Sequence, residues 1–118
     1  MQTAVAKRLA EGRRLHLQHG PIDLIIGADG DRERAFAAAT QRFQTVLEEL
    51  VAELPILRCQ KKGEVTGAIA WQMQRAIHPH VTQGFVTPMA AVAGAVADTV
   101  LAAMLDKARP RRAYVNNG

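Results

Sequence analysis

One carboxylate stands alone in residues 85–105, FVTPMAAVAGAVADTVLAAML, where Asp98 is the single ionisable side chain. A helix leans each side chain toward its N-terminus, so this carboxylate lies above Gly94, where no side chain fills the space and a ligand group can dock. Upstream, Thr87 serves as N-cap and Pro88 suits the first helical position, which needs no amide hydrogen. The free amides that follow, from Met89 to Ala91, carry partial positive charge and can receive a phosphate or carboxylate. Asp98 lies three turns further on, roughly 15 Å at about 1.5 Å per residue, beyond the reach of one phosphate but within that of a dinucleotide. The competing interpretation is plainer: Thr87 is only a cap, and Asp98 only a satisfied polar residue against a neighbouring backbone.

Other residue types with chemical potential are sparser. His78 and His80 have the spacing with which an extended segment, held by Pro79, presents two imidazoles to a metal, but no third ligand accompanies them. His16 and His19 are three apart in an extended segment and face opposite sides. Cys59 is the only cysteine, which excludes an intrachain disulfide and a cysteine-based zinc cluster. No hydroxyl, histidine and carboxylate grouping forms a triad, and neither GxxxxGK[ST] nor GxGxxG is present.

The elements that must hold these residues follow from periodicity. Residues 14–29 alternate as Leu15/Leu17 and Ile22/Leu24/Ile26 around His19, Gly20 and Pro21, which predicts a β-hairpin. Glu11 and Gly12 supply a second turn that pairs residues 5–9 with the same strand. From residue 31 to 54 the period changes: Phe36, Ala39, Phe43, Val46, Leu47, Leu50, Val51 and Leu54 recur at three- and four-residue steps, a long helix ended by Pro55. Residues 65–77 form a shorter helix with Ile69, Met73 and Ile77 on one line and Trp71 off it. A buried helix spans 88–107, and residues 112–115 begin a strand that runs into a turn at Asn116, Asn117 and Gly118. Strands followed by helices on one face argue for an α+β fold, an antiparallel sheet in a single partial domain over 1–118.

The 21-residue apolar stretch is long enough to cross a bilayer. Its seven strongly apolar residues contribute about −3 kcal/mol, which a central Asp at about +2.5 to +3.5 cancels before Pro88 and Gly94 are counted, so no membrane is expected. No secretory signal precedes it, and the expected compartment is the cytoplasm. The chain is rich in alanine and poor in aromatics, with 48% apolar residues and only 4% aromatic, which favours close helix packing. Its net charge of +4 is scattered in short groups such as Arg13–Arg14 and Lys61–Lys62, without interleaved aromatics, which does not favour nucleic acid.

The runs RLHLQHGPIDLIIGA and TPMAAVAGAVAD and the final AYVNNG resemble the amino-terminal half of uncharacterised ApbE-like proteins, relatives of the FAD-dependent protein FMN transferases. In that superfamily a helix with Gly-x-x-x-Asp precedes an apolar strand and a Gly-Gly-Asp turn; Gly94 and Asp98 match the first, and residues 115–118 the approach to the second. The resemblance implies a T-fold-related, apparently truncated domain. It implies a flavin nucleotide, FAD or FMN, lined by Thr87, Pro88, Met89, Gly94, Asp98, Asn116, Asn117 and Gly118, with magnesium held largely by a missing half. Two positions depart from the transferases, Ala93 in place of Lys and Thr87-Pro88 in place of Gly-Gly. A half-built pocket implies that the chain alone is inactive. The alternative is a non-enzymatic module whose unpaired last strand finds a partner or a second copy.

Overall fold

Alternation builds the sheet. Leu15, Leu17 and His19 of β2 (Arg14–His19) and Ile22, Leu24, Ile26 and Ala28 of β3 (Ile22–Asp29) are all buried on one face, while their neighbours point the other way. The computed structural model describes residues 3–59, 63–81, 84 and 86–117. Within them β1 (Val5–Arg8), β2, β3 and β4 (Arg112–Asn117) form an antiparallel sheet in the order β1-β2-β3-β4. Both expected turns are present: Leu15 stands opposite Ile26 across the hairpin, and Arg8 opposite Leu15 across the Glu11-Gly12 turn. The fold is α+β.

Among the described residues, helices cover one face only. α1 (Arg32–Phe43) packs on β2 and β3, and α5 (Val92–Lys107) packs on β4 beside α1. The chain enters α1 through Gly30 and Asp31, both left-handed, at φ 77° and 51°. Asp31 Oδ2 accepts the Arg109 amide at 2.8 Å and the Asp29 carbonyl accepts that of Arg111 at 2.7 Å. The two ends of the helical layer are thereby tied to the same corner of the sheet.

The single helix expected over 31–54 is three: α1, α2 (Val46–Ala52) and α3 (Leu54–Leu57). The break at Gln44-Thr45 lets Phe43, Val46 and Leu50, all buried, reach the core from a bent path that a straight helix would not follow. Across it Arg42 forks onto both oxygens of Glu49, at 2.5 and 3.1 Å, and the Thr45 hydroxyl donates to Glu49 at 2.8 Å. Pro55 does not end a helix; it sits in the first turn of α3, where its missing N–H costs nothing. The helix expected over 65–77 begins later, as α4 (Ala68–Ile77), because the Glu53 carboxylate accepts the Thr66 and Gly67 amides and holds them before it.

The Arg42 hydrogen bond, followed by that of Thr45, holds the Glu49 carboxyl below its ordinary value against the opposing effect of burial. A carboxyl lowered on folding stabilises the fold above its unfolded pKa, and that contribution disappears as pH falls through the folded value. Glu49→Gln is therefore expected to cost a few tenths to about 1 kcal/mol at neutral pH, as partly exposed pairs do. The difference should vanish in strong acid, which thermal unfolding across pH will show.

Residues 88–107 are not one buried helix. Pro88–Ala91 is a 3-10 turn, and α5 follows with Ala95, Val96, Val100 and Met104 in the core and its remaining sides outward. By length and composition Pro88–Lys107 could cross a membrane, yet only 28% of its apolar window is buried in this fold. The outward sides explain the low share: Gly94, Asp98, Ala102 and Leu105 are all exposed.

Candidate functional site

Asp98 lies on the surface, one turn beyond Gly94, and its anomaly dissolves with that exposure. Its Oδ2 accepts the Gln72 side-chain amide of α4 at 3.2 Å. It lines a groove of about 790 Å³ where α1, α4 and α5 meet, together with Ala38, Ala68, Ala102 and Ala103. Asp106 and Lys107 line it as well. Such a groove offers small apolar contacts, two carboxylates, Asp98 and Asp106, and two cations, Arg42 and Lys107.

The expected anion site at the helix start is largely consumed. A 3-10 turn bonds each amide to the carbonyl three residues back, so the Ala90 N–H donates to the Thr87 carbonyl at 3.0 Å and the Val92 N–H to that of Met89. The Thr87 side chain makes no cap bond, Pro88 is buried, and Met89 packs against the core. Gly94 remains open: nothing lies within 4 Å of the place a Cβ would take. Beside it the Asn117 side-chain amide donates to the Ala93 carbonyl at 3.2 Å.

The turn expected at Asn116-Asn117 is strand. β4 continues through Asn117, with Asn116 opposite Ile25 and Asn117 opposite Leu24. Adjacent strand residues face opposite sides, so Asn117 joins Gly94 on the helical face while Asn116 is on the open face. The structure thus ties Asn117 to Ala93, the residue before Gly94, sets Asp98 a turn away toward α4, and separates Asn116 by the thickness of the sheet. Gly118, with Lys61, Lys62 and Phe85, lies outside the described residues.

The His78–His80 segment is a 3-10 turn and not extended, because Pro79 fits the first turn of a helix as readily as a strand. Among the described residues no group of three or more His, Cys, Asp or Glu could hold a metal ion. Cys59 is exposed, its thiol donating to the Pro55 carbonyl at 3.1 Å. His16 and His19 do face opposite sides. The first touches Asp23 on the open face, and the second packs edge-on against Phe43 with ring centres 6.5 Å apart.

The open face also gathers residues that sequence reasoning passed over. Arg14 stands opposite Gly27, and Gly27 opposite Tyr114, in one row across β2, β3 and β4, with Arg112 two residues from Tyr114. Once β4 is known to run from Arg112, its period of two is the signal that places Arg112, Tyr114 and Asn116 on one side.

An antiparallel sheet covered on one face and bare on the other, with helix α5 beside its last strand, defines an α+β module with an open surface. A protein-family model described as AbpE bacteria matches residues 6–118, and the chain belongs to that family. This corrects the resemblance to ApbE-like relatives of FMN transferases: the matching family bears a different name, and nothing links it to those enzymes. The short motifs behind the resemblance, Gly-x-x-x-Asp and a strand end, are too brief to carry a family by themselves. No curated protein and no solved structure matches the chain.

Proposed function

We propose that this chain is a non-enzymatic association module that pairs with a second copy along β4. The observation that carries this reading is the contrast between the two sheet edges. β1 has four residues, all exposed, including Lys7 and Arg8, and Arg8 is tied back to Glu33 and to the Gly12 carbonyl. A short, cationic strand is how proteins blunt an edge. β4 has six residues with no such device after Arg112, and beside it α5 presents Ala93, Ala97, Leu101 and Leu105 at four-residue steps, with Leu105 49% exposed. Antiparallel pairing of β4 with its copy extends the sheet, and the small side chains let the two α5 helices approach.

Sedimentation equilibrium is expected to give a dimer, and Leu105→Lys a monomer with an unchanged far-ultraviolet spectrum, since that side chain lies outside the core. A wild-type chain that stays monomeric at high concentration ends this reading.

A flavin nucleotide, FAD or FMN, is the second reading, favoured by one observation: Gly94 near the start of α5 is bare, with nothing within 4 Å of where a Cβ would stand. Visible flavin absorbance retained after mixing and desalting is the expected result; a colourless protein removes it.

A further inference from the structure

Tyr114 lies across Gly27. A methyl group added to Gly27 would come within 2.4 Å of the Tyr114 ring, so only glycine lets the ring rest on the sheet there. The ring in turn buries Gly27, although that residue is on the face no helix covers. Tyr114 itself remains 48% exposed. Held against Gly27 yet nearly half exposed, the ring can serve as a stacking platform on the strand beneath.

Around it is a cleft of about 510 Å³ lined by Arg13, Arg14, Arg112, Glu11 and Asp29. Three guanidiniums face two carboxylates. Glu11 is already taken by Arg14 at 2.6 Å, and Asp29 accepts Arg32 from outside the cleft at 3.3 Å. Arg112 and Arg13 make no ion pair among the described residues. A surplus of positive charge therefore borders an aromatic face.

The geometry points to a nucleotide-binding site on the open face of the sheet, with the base stacked on Tyr114 and the phosphates drawn to Arg112 and Arg13, the two guanidiniums of the cleft that hold no carboxylate. Stacking on an aromatic ring suits any base, and guanidinium forks match phosphate oxygens in pairs. A single platform beside a single basic cluster fits one nucleotide better than a strand, which uses a succession of rings. Tyr114 and Arg112 belong to β4, so the site adjoins the edge proposed to pair; strand pairing engages the β4 backbone, whereas these two side chains rise from the open face, away from Gly94.

The test is a titration of the folded chain at low salt with ADP, adenosine, inorganic phosphate and a short single-stranded oligonucleotide, followed by backbone amide shifts. ADP is expected to bind best and to move the amides of Gly27 and Tyr114. Tyr114→Ala and Arg112→Ala should each weaken it by about tenfold or more, the equivalent of one stacked ring or one charge-assisted pair. Tyr114→Phe keeps the ring and should bind as the wild type does. All three changes are at exposed positions, so the fold is expected to survive them, as unchanged amide dispersion will show. Phosphate binding as tightly as ADP with no loss in Tyr114→Ala overturns the proposal, as does binding of the oligonucleotide without ADP.

Discussion

Val100→Asp is expected to unfold the domain, whereas Asp98→Ala, two residues away on the same helix, should leave its melting temperature almost unchanged. Val100 is fully buried where α5 meets the sheet and α1. A carboxylate placed there either stays charged without a partner or takes up a proton at a cost; either way the loss is several kcal/mol. Small domains have only about 5–15 kcal/mol in total, so the substitution removes most of it. Asp98 has a different position. Two residues carry a helix about 200° around its axis, which puts Asp98 in solvent with one hydrogen bond to Gln72. Removing that bond at an exposed site should cost within about 0.5 kcal/mol, partly offset by the higher helix propensity of alanine. Circular dichroism melts of both variants decide the matter. If Asp98→Ala destabilised as strongly as Val100→Asp, the carboxylate would have to be an interior group, and the groove at α1, α4 and α5 would need a different account.

The contrast also shows why α5 misleads a reader of sequence. Val96, Val100 and Met104 mark its core side at four-residue steps, and any helical wheel finds them. Alanine is so frequent on the other sides that the wheel shows no polar face, and a helix apolar all round reads as buried. Small side chains instead leave α5 half in solvent. The hairpin was legible for the opposite reason: Leu15, Leu17, Leu24 and Ile26 alternate cleanly with His16, Gln18 and Asp23, and a period of two admits one register once the Gly20-Pro21 turn is placed. The end of β4 was hidden because Asn-Asn-Gly carries a strong local turn preference, which pairing with Leu24 and Ile25 overrides. Gly94 and Asp98 were legible as residues but not as a site, since the side chains around them, Gln72 on Asp98 and Asn117 on the Ala93 carbonyl beside Gly94, come from two different elements distant in the chain.

Phe43→Ala should cost about 3–5 kcal/mol, the range for deleting a buried aromatic ring, and the location makes it informative. Phe43 is the last residue of α1, 1% exposed, and its ring meets the edge of His19 on β2 at 64°. Sequence periodicity places Phe43 and Val46 on one continuous helix face; in the fold they flank the break that turns α2 toward the core. Two causes compete for that bend. One is the ion-pair bridge of Arg42, Thr45 and Glu49 on the outside, and the other is the demand of Phe43, Val46 and Leu50 to be buried inside. Their magnitudes separate them. The bridge is partly exposed and contributes at most about 1 kcal/mol, whereas the ring loses both its transfer energy and the contacts around the cavity it leaves. Denaturant unfolding of Phe43→Ala and Glu49→Gln side by side should therefore give a several-fold larger loss for the first. With the order reversed, the outer bridge would be what bends the chain, and Glu49 would belong among the residues that determine the fold.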